Sequence, residues 1–389
     1  MNPPKHILPI IVISQFFCTS LWFAGNGVMF ELKTTFLLEE SALGQITSIL
    51  QFGFIIGTLI FAILSIADRY APSTVFFACA LFGAIFNGLL IWKGNNYTSI
   101  LIFRFLTGFF LAGIYPVGMK IASDYYEKGL GKSLGYLVGA LVIGTAFPHL
   151  LKELKGELPW EFVLIATSSL ATIGGILMIT FVPNGPFRKP MQKINILAIP
   201  NIFKKQNFKK AAFGYFGHMW ELYAFWAFVP IILQMYIELH PTVSFNIPLL
   251  SFIIIAIGGF ACVLGGYIAQ KIGVKRIAFL SLLLSCICCL ISPILFTLDS
   301  PVLFVSFLLF WGMVVIADSP LFSTLVAQNA PLELKGTALT IVNCIGFFIT
   351  IFSILLLNML KTSINSPIMF ILLALGPIFG LFALMKKEK

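Results

Sequence analysis

About a dozen apolar stretches, each long enough to cross a lipid bilayer as a helix, follow one another along this chain, and the second six repeat the pattern of the first six. A hydrocarbon core of ~30 Å needs ~20 apolar residues of helix to span it. Stretches of that kind run Ile7–Phe30, Leu43–Ile66, Pro72–Trp92, Thr98–Ala122, Leu134–Leu151, Phe162–Val182, Ala211–Ile237, Pro248–Ala269, Ile277–Leu298, Val302–Ala327, Thr337–Leu360 and Ile368–Met385. Short loops join them and leave no room for a water-soluble domain. The expected fold is an all-α membrane protein of 12 transmembrane helices in two pseudo-symmetric six-helix bundles. Hydrophobic residues make up 59% of the chain and charged residues 10%, against roughly a quarter charged in soluble domains. The first stretch is too long for a signal-peptide core and lacks a small-residue cleavage site, so it reads as a retained helix.

The net charge of +10 reflects topology, with no nucleic-acid partner implied. With the N-terminus cytoplasmic, inner loops and tail hold Arg69, Lys128, Lys132, the run from Arg188 to Lys210, Lys271, Lys275, Arg276, Lys335, Lys386, Lys387 and Lys389. Outer loops hold Lys33, Lys93, Lys152, Lys155 and Lys361. That bias places both termini in the cytoplasm, on the cytoplasmic (inner) membrane. The seven cysteines all fall inside apolar stretches. Cys286-x-Cys288-Cys289 has no histidine or acid near it in sequence, so these thiols read as small packing residues rather than disulfides or metal ligands.

One segment breaks the apolar rhythm. Between Pro183 and Lys210 the chain gathers four prolines and seven basic residues, giving domains 1–183 and 211–389 joined by a basic cytoplasmic linker, 184–210. Within it, 194–199 is apolar enough to lie on the membrane surface; a basic tether that enforces topology is the simpler reading. The halves match at nearly constant offsets: Trp22 with Trp226, Asp68 with Gln270, and Gly131-Lys132-Ser133-Leu134 with Lys335-Gly336-Thr337-Ala338. Two such bundles, related by an axis along the membrane normal, can rock against each other and open a shared cavity to each side in turn.

Several residues have no cheap place in a bilayer. In Gly214-Tyr215-Phe216-Gly217-His218-Met219-Trp220-Glu221-Leu222-Tyr223-Ala224-Phe225-Trp226, His218 and Glu221 are three apart and share a helix face. Glu221 lies near the bilayer midplane, where desolvation favours the neutral carboxyl and suits it to load and release protons. His218 is a natural companion for it, and Trp220, Tyr223 and Trp226 offer aromatic surface to an organic solute. A histidine–glutamate pair that only fastens helices is the structural alternative. Asp318, ahead of Ser319-Pro320, is a second buried acid, serving as a gating or proton site or as the cap of a broken helix. Arg104 belongs in the bundle interior, against a substrate, or snorkels to the interface. Gln15, Trp22 and Asn26 either line the same cavity or pack helices together. No nucleotide-binding loop is present, which leaves an ion or solute gradient as the energy source, with no cofactor and no metal.

Asp68-Arg69 after the second stretch, and Gly266, Lys271, Gly273, Lys275 and Arg276 after the eighth, each resemble half of the loop signature G-x-x-x-D-R-x-G-R-R of the major facilitator superfamily. Arg104 with Gly108 resembles that family's fourth-helix R-x-x-x-G. The resemblance covers essentially the whole chain. It departs at Leu64 and at Ala71-Pro72-Ser73, which replace the first glycine and the G-R-R, and at Gln270, which replaces the acid. By resemblance, Asp68, Arg69, Gln270, Lys271 and Gly336 belong to a gate, Asp68 latching against the start of the eleventh helix near Gly336. The glycine–proline element of the family's drug antiporters is missing from the fifth stretch.

These readings give a secondary active transporter, not an enzyme, that moves a small organic solute by alternating access as a monomer. Proton-coupled symport is the expected mode; export of a drug or metabolite by proton antiport is the alternative, and a non-transporting membrane sensor a remote one.

Overall fold

The computed structural model describes residues 4–126, 130–188 and 199–385. Expectations placed on Lys128, Lys189, Lys193, most of the 194–199 stretch and the C-terminal lysines lie outside these residues, as does the side chain of Lys132. The chain forms two compact units, Met1–Ile194 and Asn195–Lys389, helical throughout and without a strand among the described residues.

The first unit runs α1 (Ile7–Thr19), α2 (Ala24–Gly27), α3 (Met29–Phe36), α4 (Ala42–Ile63), α5 (Ile66–Arg69), α6 (Pro72–Gly88), α7 (Tyr97–Leu111), α8 (Tyr115–Tyr125), α9 (Leu130–Leu154) and α10 (Glu161–Phe181). In the second come α11 (Ile199–Lys204), α12 (Gln206–Leu239), α13 (Ile247–Ile272), α14 (Val274–Phe296), α15 (Pro301–Ala317), α16 (Ser319–Asn329), α17 (Lys335–Ser363) and α18 (Leu375–Met385). Among the described residues eleven helical stretches are long and apolar enough to cross a membrane, and Ile7–Thr19 is a shorter apolar helix. Large apolar side chains such as Phe260, Val302, Phe379 and Phe382 stand exposed. That arrangement is costly in water and costs nothing in hydrocarbon.

Three expected spans are interrupted, each for a local reason. In the first, Thr19 and Ser20 turn their hydroxyls back onto the carbonyls of Gln15 (2.8 Å) and Phe17 (2.6 Å), a competition that bends helices. The backbone then tightens into three-residue turns at Leu21 and Trp22 before restarting at Ala24. The fourth breaks between α7 and α8, with Pro116 in the first turn of α8. The tenth breaks at Asp318, with Pro320 in the first turn of α16. A proline has no N–H for the carbonyl four residues earlier. At Pro320 that carbonyl belongs to Ile316, and the Cys262 thiol of α13 points at it from 3.4 Å. Inside α14, the Ser292 hydroxyl donates to the Cys289 carbonyl (2.8 Å) that Pro293 leaves unbonded.

The internal repeat is visible in how helices touch. In the first unit α4 packs along α7; in the second α13 packs along α15. Gly108 of α7 lies against the backbone carbonyl of Leu50, and Gly312 of α15 against that of Ile254, so close that a Cβ at either glycine would sit 2.0 Å from the oxygen. Both pairs, the prolines 116 and 320, and the tryptophans 22 and 226 are all separated by 204 positions. Small residues let helix backbones approach where lipid supplies no hydrophobic drive. Asp318 stands at the position of Ile114 in this alignment, so the second unit alone carries an acid at the break. The seventh helix begins at Gln206, earlier than the apolar pattern suggests, because helical hydrogen bonding continues through Lys209 and Lys210.

Candidate functional site

In the second unit, Glu221 sits near the middle of the 34-residue α12 and is 1% exposed. Three neutral groups converge on its Oε1: the Ser285 hydroxyl of α14 at 2.5 Å, the Trp311 indole N–H of α15 at 2.6 Å, and the Cys289 thiol of α14 at 3.2 Å. Among the described residues no ion pair involves Glu221. His218, also 1% exposed, turns elsewhere: its Nδ1 lies 2.8 Å from Oδ1 of Asp318, itself fully buried at the α15–α16 break. The shared helix face thus puts His218 and Glu221 in one layer of the bundle, but each is engaged by a different helix. The Tyr215 and Phe322 rings flank the imidazole at 6.0 and 6.3 Å.

Aromatic candidates on α12 divide. Tyr223 and Trp226 are buried and in contact with each other (5.3 Å between rings), with Phe347 beside Tyr223 at 5.1 Å. Trp220 points away, donating to the carbonyl of Leu372 at 3.0 Å and packing on Gly376.

In the first unit, Arg104 is fully buried and does not reach the helix end. Its Nη1 and Nη2 donate to the carbonyls of Leu21 (3.2 Å) and Trp22 (2.6 Å), two acceptors presented at the break that follows α1. The guanidinium therefore caps a helix C-terminus, where a positive charge is favoured by the dipole. Gly25 gives it room, since a Cβ there would lie 3.3 Å from Nε. The Trp22 ring contacts Phe54 of α4 at 4.9 Å, and Asn26 donates to Thr47 at 2.8 Å. Trp22, Asn26 and Arg104 are therefore brought together around one break. Gln15 lies further along α1, fully buried, its side-chain oxygen against Gly118 of α8. Arg104→Lys keeps the charge but has one donor group for two carbonyls; losing one charge-assisted bond should cost about 1.5–3 kcal/mol. The expected result is a lower unfolding temperature of detergent-purified protein, and an unchanged one would show that the cap contributes nothing.

The residues that resembled a gate lie at the helix ends. Asp68 pairs with Lys120 of α8 at 2.8 Å, and Lys120 also faces Asp124 at 3.9 Å. Arg188 donates to the backbone carbonyls of Asp68 (2.7 Å) and Tyr70 (2.9 Å), tying the chain after α10 to the α5 turn. Arg69, Gln270, Lys271 and Gly336 are exposed, the last with open space around it.

Sequence reasoning passed over Ser285, Trp311 and Lys120, and read Cys289 as a packing residue alone. A signal existed for Ser285 and Cys289: Ser281, Ser285, Cys289 and Ser292 recur about once per helical turn, a buried polar stripe on an otherwise apolar helix. Lys120 hid inside a span that reads as continuous.

Comparison with known proteins agrees with this architecture. The proton:xylose symporter XylE bound to 6-bromo-6-deoxy-D-glucose superposes with a TM-score of 0.75 at 14% identity, covering 97% of this chain and 94% of that one. A bacterial homologue of the human lysosomal transporter Spinster, inward-facing and unoccupied, gives 0.70 at 14% identity, covering 98% and 96%. Among curated proteins, the niacin transporter NiaP of Acinetobacter baylyi is 33% identical over 178 residues, 39% of this chain and 40% of that one. An uncharacterized transporter of Buchnera aphidicola subsp. Schizaphis graminum is 25% identical over 131 residues, 33% and 31% respectively. The chain thus spans less than half the length of these curated relatives. The Major Facilitator Superfamily pattern matches residues 11–354; with two helical units repeating each other's broken helices and glycine contacts, the chain belongs to that superfamily.

Proposed function

We propose that this protein is a secondary active transporter that carries a small organic solute across the cytoplasmic membrane by alternating access, in symport with protons. The observation that carries the reading is the buried pair of acids in the second unit. Glu221 and Asp318 lie within the membrane-spanning layer without a lysine or arginine partner among the described residues, and one of them faces a histidine. Intramembrane acids are expensive and are retained where ions or protons move. Glu221 takes the coupling proton, and Asp318 with His218 against it forms the second proton-coupling site. In the first unit Arg104, Trp22, Asn26 and Gln15 contribute to solute binding; in the second Tyr223 and Trp226 do, Trp220 being turned onto Leu372 and Gly376. Asp68, Arg69, Gln270, Lys271 and Gly336 act as the gate at the cytoplasmic ends of the helices. The lysine and arginine bias supports cytoplasmic termini.

Purified protein in liposomes under an imposed pH gradient tests this reading. Niacin, suggested by the partial match to NiaP, and xylose are the first labelled solutes, followed by those that raise the unfolding temperature in a solute screen. The expected result is accumulation on the side the proton gradient favours for symport, abolished by a protonophore. Flux down the solute's own gradient, indifferent to the protonophore, would remove the protons from the mechanism; accumulation in the opposite sense would make the protein an antiporter.

A further inference from the structure

Glu221 is held by three donors that all choose the same oxygen. The Ser285 hydroxyl, the Trp311 indole N–H and the Cys289 thiol reach Oε1 at 2.5, 2.6 and 3.2 Å. They come from two helices, and all three residues are buried. We infer that Ser285, Trp311 and Cys289 form a neutral donor cage that pins Oε1 in both protonation states and leaves Oε2 as the oxygen that takes and gives up the proton. The inference rests on the reading that Glu221 carries the coupling proton, and it names the residues that set the pH at which it does so.

The chemistry follows from what each group can do. An indole N–H is a donor only, so it fixes Oε1 as an acceptor. A neutral carboxylic acid protonated on Oε2 still offers the carbonyl oxygen Oε1 to three donors, and a carboxylate offers a stronger acceptor at the same atom. The bonds therefore persist through the cycle but strengthen when the proton leaves. They stabilise the ionised state without a fixed positive charge, which would trap it. Trp311 is itself locked between Phe225 (4.5 Å) and Phe307 (5.5 Å), so its N–H cannot swing away. The other titratable groups on the helices around Glu221 are Lys209, Lys210, Tyr215, His218, Tyr223, Tyr236 and Glu238 on its own helix, Asp318 at the α15–α16 break, Lys275, Arg276, Cys286 and Cys288 on α14, Cys262, Tyr267 and Lys271 on α13, and Lys335, Cys344 and Lys361 on α17; α16 and α18 bring none. His218 and Asp318 engage each other, while the groups in direct contact with the Glu221 carboxyl are those of the cage.

The Cys286-x-Cys288-Cys289 cluster, which reads in sequence as packing alone, acquires a polar role through one member. Its thiol is the weakest of the three donors, and that makes the inference testable in both directions.

The test is a pH titration of full-length protein in nanodiscs, following the protonated carboxyl C=O stretch by infrared difference spectroscopy with Glu221→Gln as the blank. No solute is needed. Trp311→Phe keeps the ring and removes the N–H; Ser285→Ala removes the hydroxyl. Each should move the Glu221 titration midpoint to higher pH by roughly one unit, the equivalent of one charge-assisted hydrogen bond weakened in the ionised state. Cys289→Ser supplies a stronger donor and should move it to lower pH. A packing role alone would not produce shifts of opposite sign. Unfolding temperatures within a few degrees of wild type establish that each variant is folded. The inference is overturned if Trp311→Phe and Ser285→Ala titrate as wild type, if Cys289→Ser moves the midpoint upward, or if no carboxyl band is lost in Glu221→Gln. If the shifts appear while Glu221→Gln still shows proton-driven transport, the cage stands and the coupling role of Glu221 fails.

Discussion

Glu221→Gln should lose proton-driven accumulation altogether while still exchanging solute across a liposome membrane. One pH unit corresponds to 1.36 kcal/mol, so each coupled proton can drive roughly tenfold accumulation per unit of gradient. The variant should therefore fall from about tenfold to no accumulation under a one-unit gradient. Exchange of labelled for unlabelled solute needs only the loaded forms to reorient. A neutral amide resembles the protonated carboxyl, so that half of the cycle should survive. Folding should survive too, because the Gln carbonyl can accept the same three bonds from Ser285, Trp311 and Cys289. Proton flux, accumulation and counterflow measured on the same liposomes separate these outcomes. Accumulation at the wild-type level would take Glu221 out of the mechanism and make Asp318→Asn the next experiment. Because His218 faces Asp318 and not Glu221, His218→Ala should alter the pH profile through Asp318, and its effect should vanish in an Asp318→Asn background.

Gly108→Val and Gly312→Val should each prevent recovery of folded protein. A Cβ at either position would stand 2.0 Å from a backbone oxygen, that of Leu50 or of Ile254, and neither helix can yield without breaking its own ladder. Overpacking in a close-packed interior costs about 1–3 kcal/mol and occasionally more; with rigid backbone as the obstacle the upper end or beyond is expected, enough to threaten a marginally stable fold. Gly266→Ala is the control, since nothing lies within 4 Å of a Cβ there. It should elute as a single species with unchanged unfolding temperature. If Gly108→Val is recovered in similar yield and stability to this control, α4 and α7 are not packed as described.

The two expectations draw on different depths of information. The membrane class and the repeat were legible because hydrocarbon demands long apolar helices whatever their neighbours, and because a duplicated pattern needs no contacts to be seen. Expensive residues were legible as well: Glu221, Asp318, His218 and Arg104 stand out wherever they sit, since a charge or imidazole in an apolar run has no bland local explanation. The interruptions were only half visible. Pro320 marked the break at Asp318, but the first stretch looked continuous, because the hydroxyls of Thr19 and Ser20 compete with the helix in a way that composition does not distinguish from packing.

Partner choice belonged to tertiary structure. Helical periodicity put His218 and Glu221 on one face, yet that face is shared by several neighbouring helices, and a three-residue step rotates the side chain far enough to meet a different one. Thus His218 reaches Asp318 while Glu221 reaches α14 and α15. Arg104 could snorkel or turn inward as far as sequence shows. The carbonyls of Leu21 and Trp22, presented at a break in another helix, decide that it turns inward. Likewise Asp68 finds Lys120 and a backbone tie from Arg188, contacts between residues far apart in the chain. Sequence determined which groups must be satisfied inside the membrane; only packing decided which donor or acceptor satisfies each, because hydrogen bonds are short and directional while the apolar pattern that assembles the helices is neither.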